Sequence, residues 1–187
     1  IKEPSVQKKA PRLVAFGKFA GIAGMINTFQ GLGQKLLAHG ISTPFLACPP
    51  AHMHHDLPAA RRTIKYMGHR IGSGALDRLS SPLVFVFTGT GNVSRGAQEI
   101  FRLLPHKMVE AHELPALWKQ PGPHRVLYGC VVRDQHIVKP LDSSRSGPFD
   151  VGHYRLHPHE YESTFHESVA PYTSVLINGI YWDQRYP

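Results

Sequence analysis

With 187 residues, 42% of them hydrophobic and 18% charged, the chain suits one domain, or a domain and part of a second, and is too apolar to be disordered throughout. No apolar run approaches the length of a membrane span, and Cys48 and Cys130 supply neither a disulfide framework nor a zinc spacing, which fits a reducing compartment. The formal charge of +8 is scattered, with only Lys8-Lys9 and Arg61-Arg62 adjacent, so it reads first as a solvated basic surface, next as a site for a phosphate-rich cofactor, and not as a nucleic-acid interface.

Residues 1–11 are polar and basic and read as a lead-in. The chain begins with Ile and carries no recognisable targeting segment, so it is expected to be a piece of a longer one. Arg12-Leu-Val-Ala-Phe16-Gly17 reads as a short strand ending in a turn. Over 19–39, Ile22, Met25, Ile26, Phe29, Leu32, Leu36 and Leu37 recur at helical spacing, and His39-Gly40 supplies a stop. Gly21, Gly24, Gly31 and Gly33 inside that helix each cost about 1 kcal/mol against Ala and point to close packing on a neighbour. Residues 41–56 are loop-like. His52, His54, His55 and Asp56 suggest a metal, but their spacing gathers no ligand set, and the default is an exposed turn. A second helix is expected over 57–68, with Ala59, Ala60, Ile64 and Met67 inward. Gly72-Ser73-Gly74 then connects to the next element.

The central stretch is 83–98, LVFVFTGTGNVSRGAQ. Its apolar run, 83–87, predicts a parallel strand buried on both faces. The glycines that follow permit a tight turn and close approach to a ligand, and the helix after them aims its free N–H groups at an anion. Strand, glycine turn and helix in that order make a dinucleotide pyrophosphate site, with Gly89, Gly91, Asn92 and Val93 as candidate cofactor contacts. The spacing is G-x-G-x-x-S, ending at Ser94, and an ordinary strand-to-helix turn would also produce it.

Ala97, Ile100, Phe101 and Leu104 mark the inner face of the following helix. Residues 107–110 read as a second strand ending at Glu110, about twenty residues past the first glycine, where dinucleotide folds place a ribose acid. Glu110 is therefore either that acid, which favours NAD, or a surface residue beside a turn. Residues 126–132 predict a third strand, with Ile137-Val138 as a hairpin partner. A loop covers 141–152. Residues 157–168 show helical spacing at Tyr161, Phe165 and, just beyond, Val169, with His157, His159 and His166 at the surface. Residues 174–178 predict another buried parallel strand. Its carboxyl end makes Asn178 and Tyr181 candidate cofactor contacts. Four sheet strands are fewer than a complete six-stranded dinucleotide fold has, so further strands are expected beyond the chain.

Val14-Ala-Phe-Gly17 with Ala20-Gly21-Ile-Ala-Gly-Met25, the run from Phe85 to Ala97, Ala170-Pro-Tyr-Thr173 and Leu176-Ile-Asn-Gly-Ile-Tyr-Trp182 together resemble the lysine–2-oxoglutarate reductases. These form the reductase half of the bifunctional α-aminoadipic semialdehyde synthases, and the resemblance runs from about residue 12 to 187. It implies an α/β fold: an incomplete Rossmann-type NAD(P)-binding domain over 82–187, preceded over 1–81 by a hinge strand and helical segment leading from a substrate domain. It implies NADPH-dependent condensation of L-lysine with 2-oxoglutarate to saccharopine, a mitochondrial setting, and a fused saccharopine dehydrogenase, and it leaves a homo-oligomer open. By family position Arg12 pairs with a substrate carboxylate, Phe16 packs against the substrate, Gly91 and Asn92 meet the pyrophosphate, and Tyr181 meets the cofactor. The family's acid/base lysine and histidine lie upstream of Arg12, so no catalytic residue is assigned here. NADP follows from the family and NAD from the Glu110 spacing. A second reading is a non-catalytic NAD(P)-binding module that regulates a partner.

Overall fold

The computed structural model describes residues 14–142, 147–181 and 183–187. Four parallel strands, β1 (Val84–Thr88), β2 (His106–Val109), β3 (Leu127–Val132) and β6 (Val175–Ile177), form a sheet in the order β2-β3-β1-β6. The helices are α1 (Gly17–Ala38), α2 (Leu57–Arg70), α3 (Asn92–Phe101), α4 (Leu114–Trp118), α5 (Val151–Leu156) and α6 (Phe165–Ser168). The fold is α/β, as a Rossmann-like piece requires.

All five residues of β1 are buried, and their alternation divides the interior in two. Phe85 and Phe87 enter a core made with Ile22, Met25, Ile26 and Phe29 of α1, Ile64 and Met67 of α2, and Ile100 and Phe101 of α3. Val84 and Val86 enter a second core with Cys130, Val132, Leu114, Leu117, Tyr154 and Tyr161. Burial of a side chain this large contributes about 1.5–3 kcal/mol, so a strand that serves both cores cannot carry a polar residue before Thr88.

The α1 stripe forms because the apolar residues recur every three or four positions, although Leu37 falls off the stripe and is exposed. The glycine expectation divides. Gly21 lies against the backbone of α3 and Gly33 against residues 45 and 46, whereas Gly24 and Gly31 face open space. Asp56 closes the start of α2 by accepting the Ala59 N–H at 2.7 Å, and Pro58 occupies the first turn, where a missing N–H costs nothing. That cap is the structural role of an aspartate that the histidines around it disguise as a metal ligand.

Four sequence expectations are corrected. Residues 14–16 are not strand, and α1 begins directly at Gly17. Val138 does not pair with β3; β4 (Val138–Pro140) pairs antiparallel with β5 (Tyr161–Ser163) in a separate two-stranded sheet. The helical spacing over 157–168 dissolves into a short turn at Pro158, the strand β5 and the four-residue α6. Tyr161 and Val169 still reach the second core, by way of a strand and a turn rather than one helix face. Finally, β6 is parallel as expected but only half-buried, with Leu176 46% exposed, because it is paired on one side only among the described residues.

Candidate cofactor cleft

A cleft of about 730 Å³ opens at the carboxyl ends of the parallel strands. Residues 89–91 line it from the end of β1, 133–135 from the end of β3 and 179–181 from the end of β6, with Val151, Tyr154 and Arg155 of α5 across the opening. β1 lies between β3 and β6: the chain leaves it for the edge strand β2, returns to β3 and then crosses to β6 on the other side, so its direction across the sheet reverses here. This is the reversal of strand order at which open α/β sheets hold their ligands.

The glycine turn is built from unlike glycines. Gly89 has φ +72°, a left-handed conformation, and donates its N–H to Val132 O at 2.8 Å, which seats the turn on β3. Gly91 has φ −74° and needs no such freedom; it is the N-cap of α3, and a Cβ there would meet nothing within 4 Å. Among the described residues, the backbone N–H groups of Thr90, Gly91, Asn92 and Val93 have no protein acceptor. Unpaired donors at a helix start, bordered by open space, suit an anionic oxygen.

Across the cleft, Thr88 Oγ1 donates to Asn178 Oδ1 at 2.8 Å and accepts the Gly179 N–H at 2.8 Å. This clamp joins the ends of β1 and β6. Asn178 is thus engaged in holding the wall, and 179–181 form the wall itself, with Tyr181 73% exposed. The charged residues of the cleft are Arg133, Arg155 and Asp134, and Arg155 lies 3.8 Å from Asp134. Burial pushes the Tyr154 hydroxyl up to about 12, aided by Asp134 and Tyr186 nearby, so the phenol stays neutral.

Of the residues singled out in the sequence, Gly89, Gly91 and Tyr181 line the cleft, and Asn92 and Val93 begin the helix at its edge. Phe16 is 71% exposed and precedes Gly17, whose α-carbon packs against Asn92: a Cβ on Gly17 would lie 3.1 Å from Asn92 Cβ. The start of α1 therefore adjoins the start of α3. Arg12 lies outside the described residues.

Glu110 is not brought to the cleft. It follows β2, two strands from β1, and borders a smaller hollow of about 280 Å³. Counting twenty residues assumes that the next strand in sequence is the next in space, and here β3 is inserted between. The signal that separates them is in the sequence: His106-Lys107-Met108-Val109 mixes charge as an edge strand does, whereas Leu127 to Val132 is nearly all apolar, as an interior strand must be. The residues at the end of β3, Arg133 and Asp134, are those that spacing alone overlooks. The histidines at 52, 54 and 55 form no ligand set. Among the described residues the group whose ligand atoms converge, within 4.8 Å, is His157, His159 and Glu160 at the surface.

No family model matches the chain. It is 48% identical to the α-aminoadipic semialdehyde synthase of Arabidopsis thaliana over 94% of its length, and 45% identical to the mitochondrial α-aminoadipic semialdehyde synthases of Mus musculus and Bos taurus over 99%. The chain spans 17–20% of the length of these curated relatives. Over the residues it has, the chain is similar to a stretch about a fifth of the length of the α-aminoadipic semialdehyde synthases.

Proposed function

We propose that this chain is the cofactor-binding portion of a lysine–2-oxoglutarate reductase acting in lysine degradation, with NADPH as its reductant. The observation that carries the reading is the cleft itself: unpaired N–H groups at the start of α3, open space at Gly91 and a strand-order reversal, in a chain whose relatives are named α-aminoadipic semialdehyde synthases. The donor set fits a dinucleotide pyrophosphate, with the N–H groups of 90–93 toward its oxygens and 179–181 along the opposite wall.

In the reaction so assigned, the lysine ε-amine condenses with the 2-oxoglutarate ketone, water leaves, and the resulting imine carbon is reduced to give saccharopine. The dihydronicotinamide supplies the hydride when bound. This chain's own part is to bind and orient: the start of α3 holds the pyrophosphate, the Thr88–Asn178 clamp fixes the far wall, and Phe16, exposed just before the Gly17 that packs on Asn92, is the apolar residue toward the substrate by resemblance. Arg12, by resemblance, takes a substrate carboxylate. We further propose that the chain is part of a longer mitochondrial polypeptide fused to a saccharopine dehydrogenase portion, a reading supported by the mitochondrial relatives and by the small share of their length that it spans.

The test is NADPH oxidation by the full polypeptide with both substrates present and with each omitted. Oxidation that needs both L-lysine and 2-oxoglutarate is the expected result. Oxidation indifferent to lysine overturns the assignment.

A further inference from the structure

We infer that Arg133 reads the adenosine 2′-phosphate of the cofactor and so selects NADPH over NADH. The inference rests on the NADP reading above and extends it to a residue that motif spacing does not reach.

Strand order carries the argument. The strand beside β1 is β3, and the Gly89 N–H bonds to Val132 O, so Arg133 is the first residue past the point where turn and strand are joined. In doubly wound dinucleotide folds the end of the strand next to the glycine strand faces the adenosine ribose. An acid there accepts the 2′-hydroxyl, and an arginine accommodates a 2′-phosphate. Arg133 is exposed and lines the same cleft as Gly89 and Gly91. Among the described residues it has no ion-pair partner, whereas Asp134, the nearest acid by sequence, lies 3.8 Å from Arg155. The Arg133 backbone N–H donates to His136 Nδ1 at 3.2 Å, which fixes the turn from which its side chain leaves. A planar guanidinium matches the oxygens of a phosphate monoester. Glu110 does not line the cleft; it borders the adjoining smaller hollow, which Arg133 and Gln135 line as well.

The experiment measures binding of NADPH and of NADH to the full polypeptide by calorimetry, for the parent and for Arg133→Ala, Arg133→Lys and Arg155→Ala. The expected result is a loss of about 30-fold in NADPH affinity for Arg133→Ala with NADH changed by less than about twofold, as removal of a charge-assisted contact to one phosphate predicts. Arg133→Lys should retain part of the preference, and being exposed on both counts it serves if the alanine variant folds poorly. Equal loss for both nucleotides, no loss, or the selective loss appearing at Arg155→Ala overturns the inference while leaving the NADP reading standing. A parent that binds neither nucleotide, or binds both alike, overturns that reading and this one with it.

Discussion

Gly21 of α1 and Gly96 of α3 bring two helix backbones into direct contact: a Cβ on Gly21 would lie 1.9 Å from Val93 O, and one on Gly96 would lie 2.0 Å from Lys18 O. Backbone atoms cannot step aside as a side chain can. Gly96→Ala is therefore expected to destabilise the fold by about 3 kcal/mol, at the upper end of overpacking costs. Gly24→Ala, with nothing within 4 Å, removes only a helix penalty and should stabilise by about 1 kcal/mol. Urea midpoints with unchanged slopes would measure both. Shifts of the same sign in the two variants would mean that the helices are not packed in this way.

Gly91 and Gly89 should separate binding from folding. Gly91→Val introduces a side chain where the backbone is ordinary and space is open, so the thermal midpoint without ligand should change little. The rise in midpoint on adding NADPH should largely disappear, because ligand binding to the folded state alone produces it. Gly89→Ala instead forces a side chain to φ +72° with its Cβ 2.4 Å from Ile180 Cγ2, and should lose about 1–2 kcal/mol of stability. A ligand-dependent rise that survives in Gly91→Val would make the turn merely structural.

Thr88→Val tests the clamp across the cleft. The substitution keeps the shape but leaves the Gly179 N–H without its acceptor and Asn178 Oδ1 with only the longer hydrogen bond from the Ile180 N–H, at 3.4 Å. The expected loss is about 1–3 kcal/mol, with weaker NADPH binding as the 179–181 wall loosens. Unchanged stability would show that water replaces the hydroxyl.

Glu99 joins three helices, with Lys18 Nζ at 2.7 Å on α1 and Arg61 of α2 at its other oxygen. The Lys18 hydrogen bond is the main cause that holds its carboxyl below the ordinary value of 4.5, with Arg61 adding to it against the opposing effect of burial. A depressed carboxyl stabilises the fold above that ordinary value, and the contribution fades as the pH falls through the lowered one. Both partners are substantially exposed, so Glu99→Gln should cost about 0.5–1 kcal/mol at pH 7 and almost nothing near pH 2. Equal cost at both would assign the effect to packing.

The two thiols should be inert in the folded protein. Burial pushes Cys48 up to about 11 and Cys130 up to about 12, and the thiolate is the reactive form. A thiol-specific reagent at pH 8 should label neither until denaturant is added. Rapid labelling of Cys130 in the native state would contradict its place between β1 and β2 in the sheet.

The sequence is most legible where one pattern has one structural solution. The apolar run at 83–87 has to be an interior strand, and the stripe from Ile22 to Leu32 has to be a helix face; both stand where expected. It is least legible where spacing admits two. Tyr161, Phe165 and Val169 fit a helix period, yet Pro158 breaks the turn and the backbone of 161–163 bonds to β4 instead. The cleft was legible through its glycines because they mark a backbone constraint. Arg133 is overlooked because the residue count runs to the next strand in sequence, although the charge in His106–Val109 against the apolar run Leu127–Val132 already separates an edge strand from an interior one. Strand order is a tertiary property, and the expectation for Glu110 depended on it.

Side chains between packed helices ordinarily act as bearings, rotating to absorb a small slip of one rod against the other. Between α1 and α3 there are none at Gly21 and Gly96, and the start of α1 abuts Asn92 as well. The pair therefore behaves as a single rigid lever. A tilt applied at the exposed end of α1, near Phe16, arrives undamped at the row of N–H groups that opens the cleft.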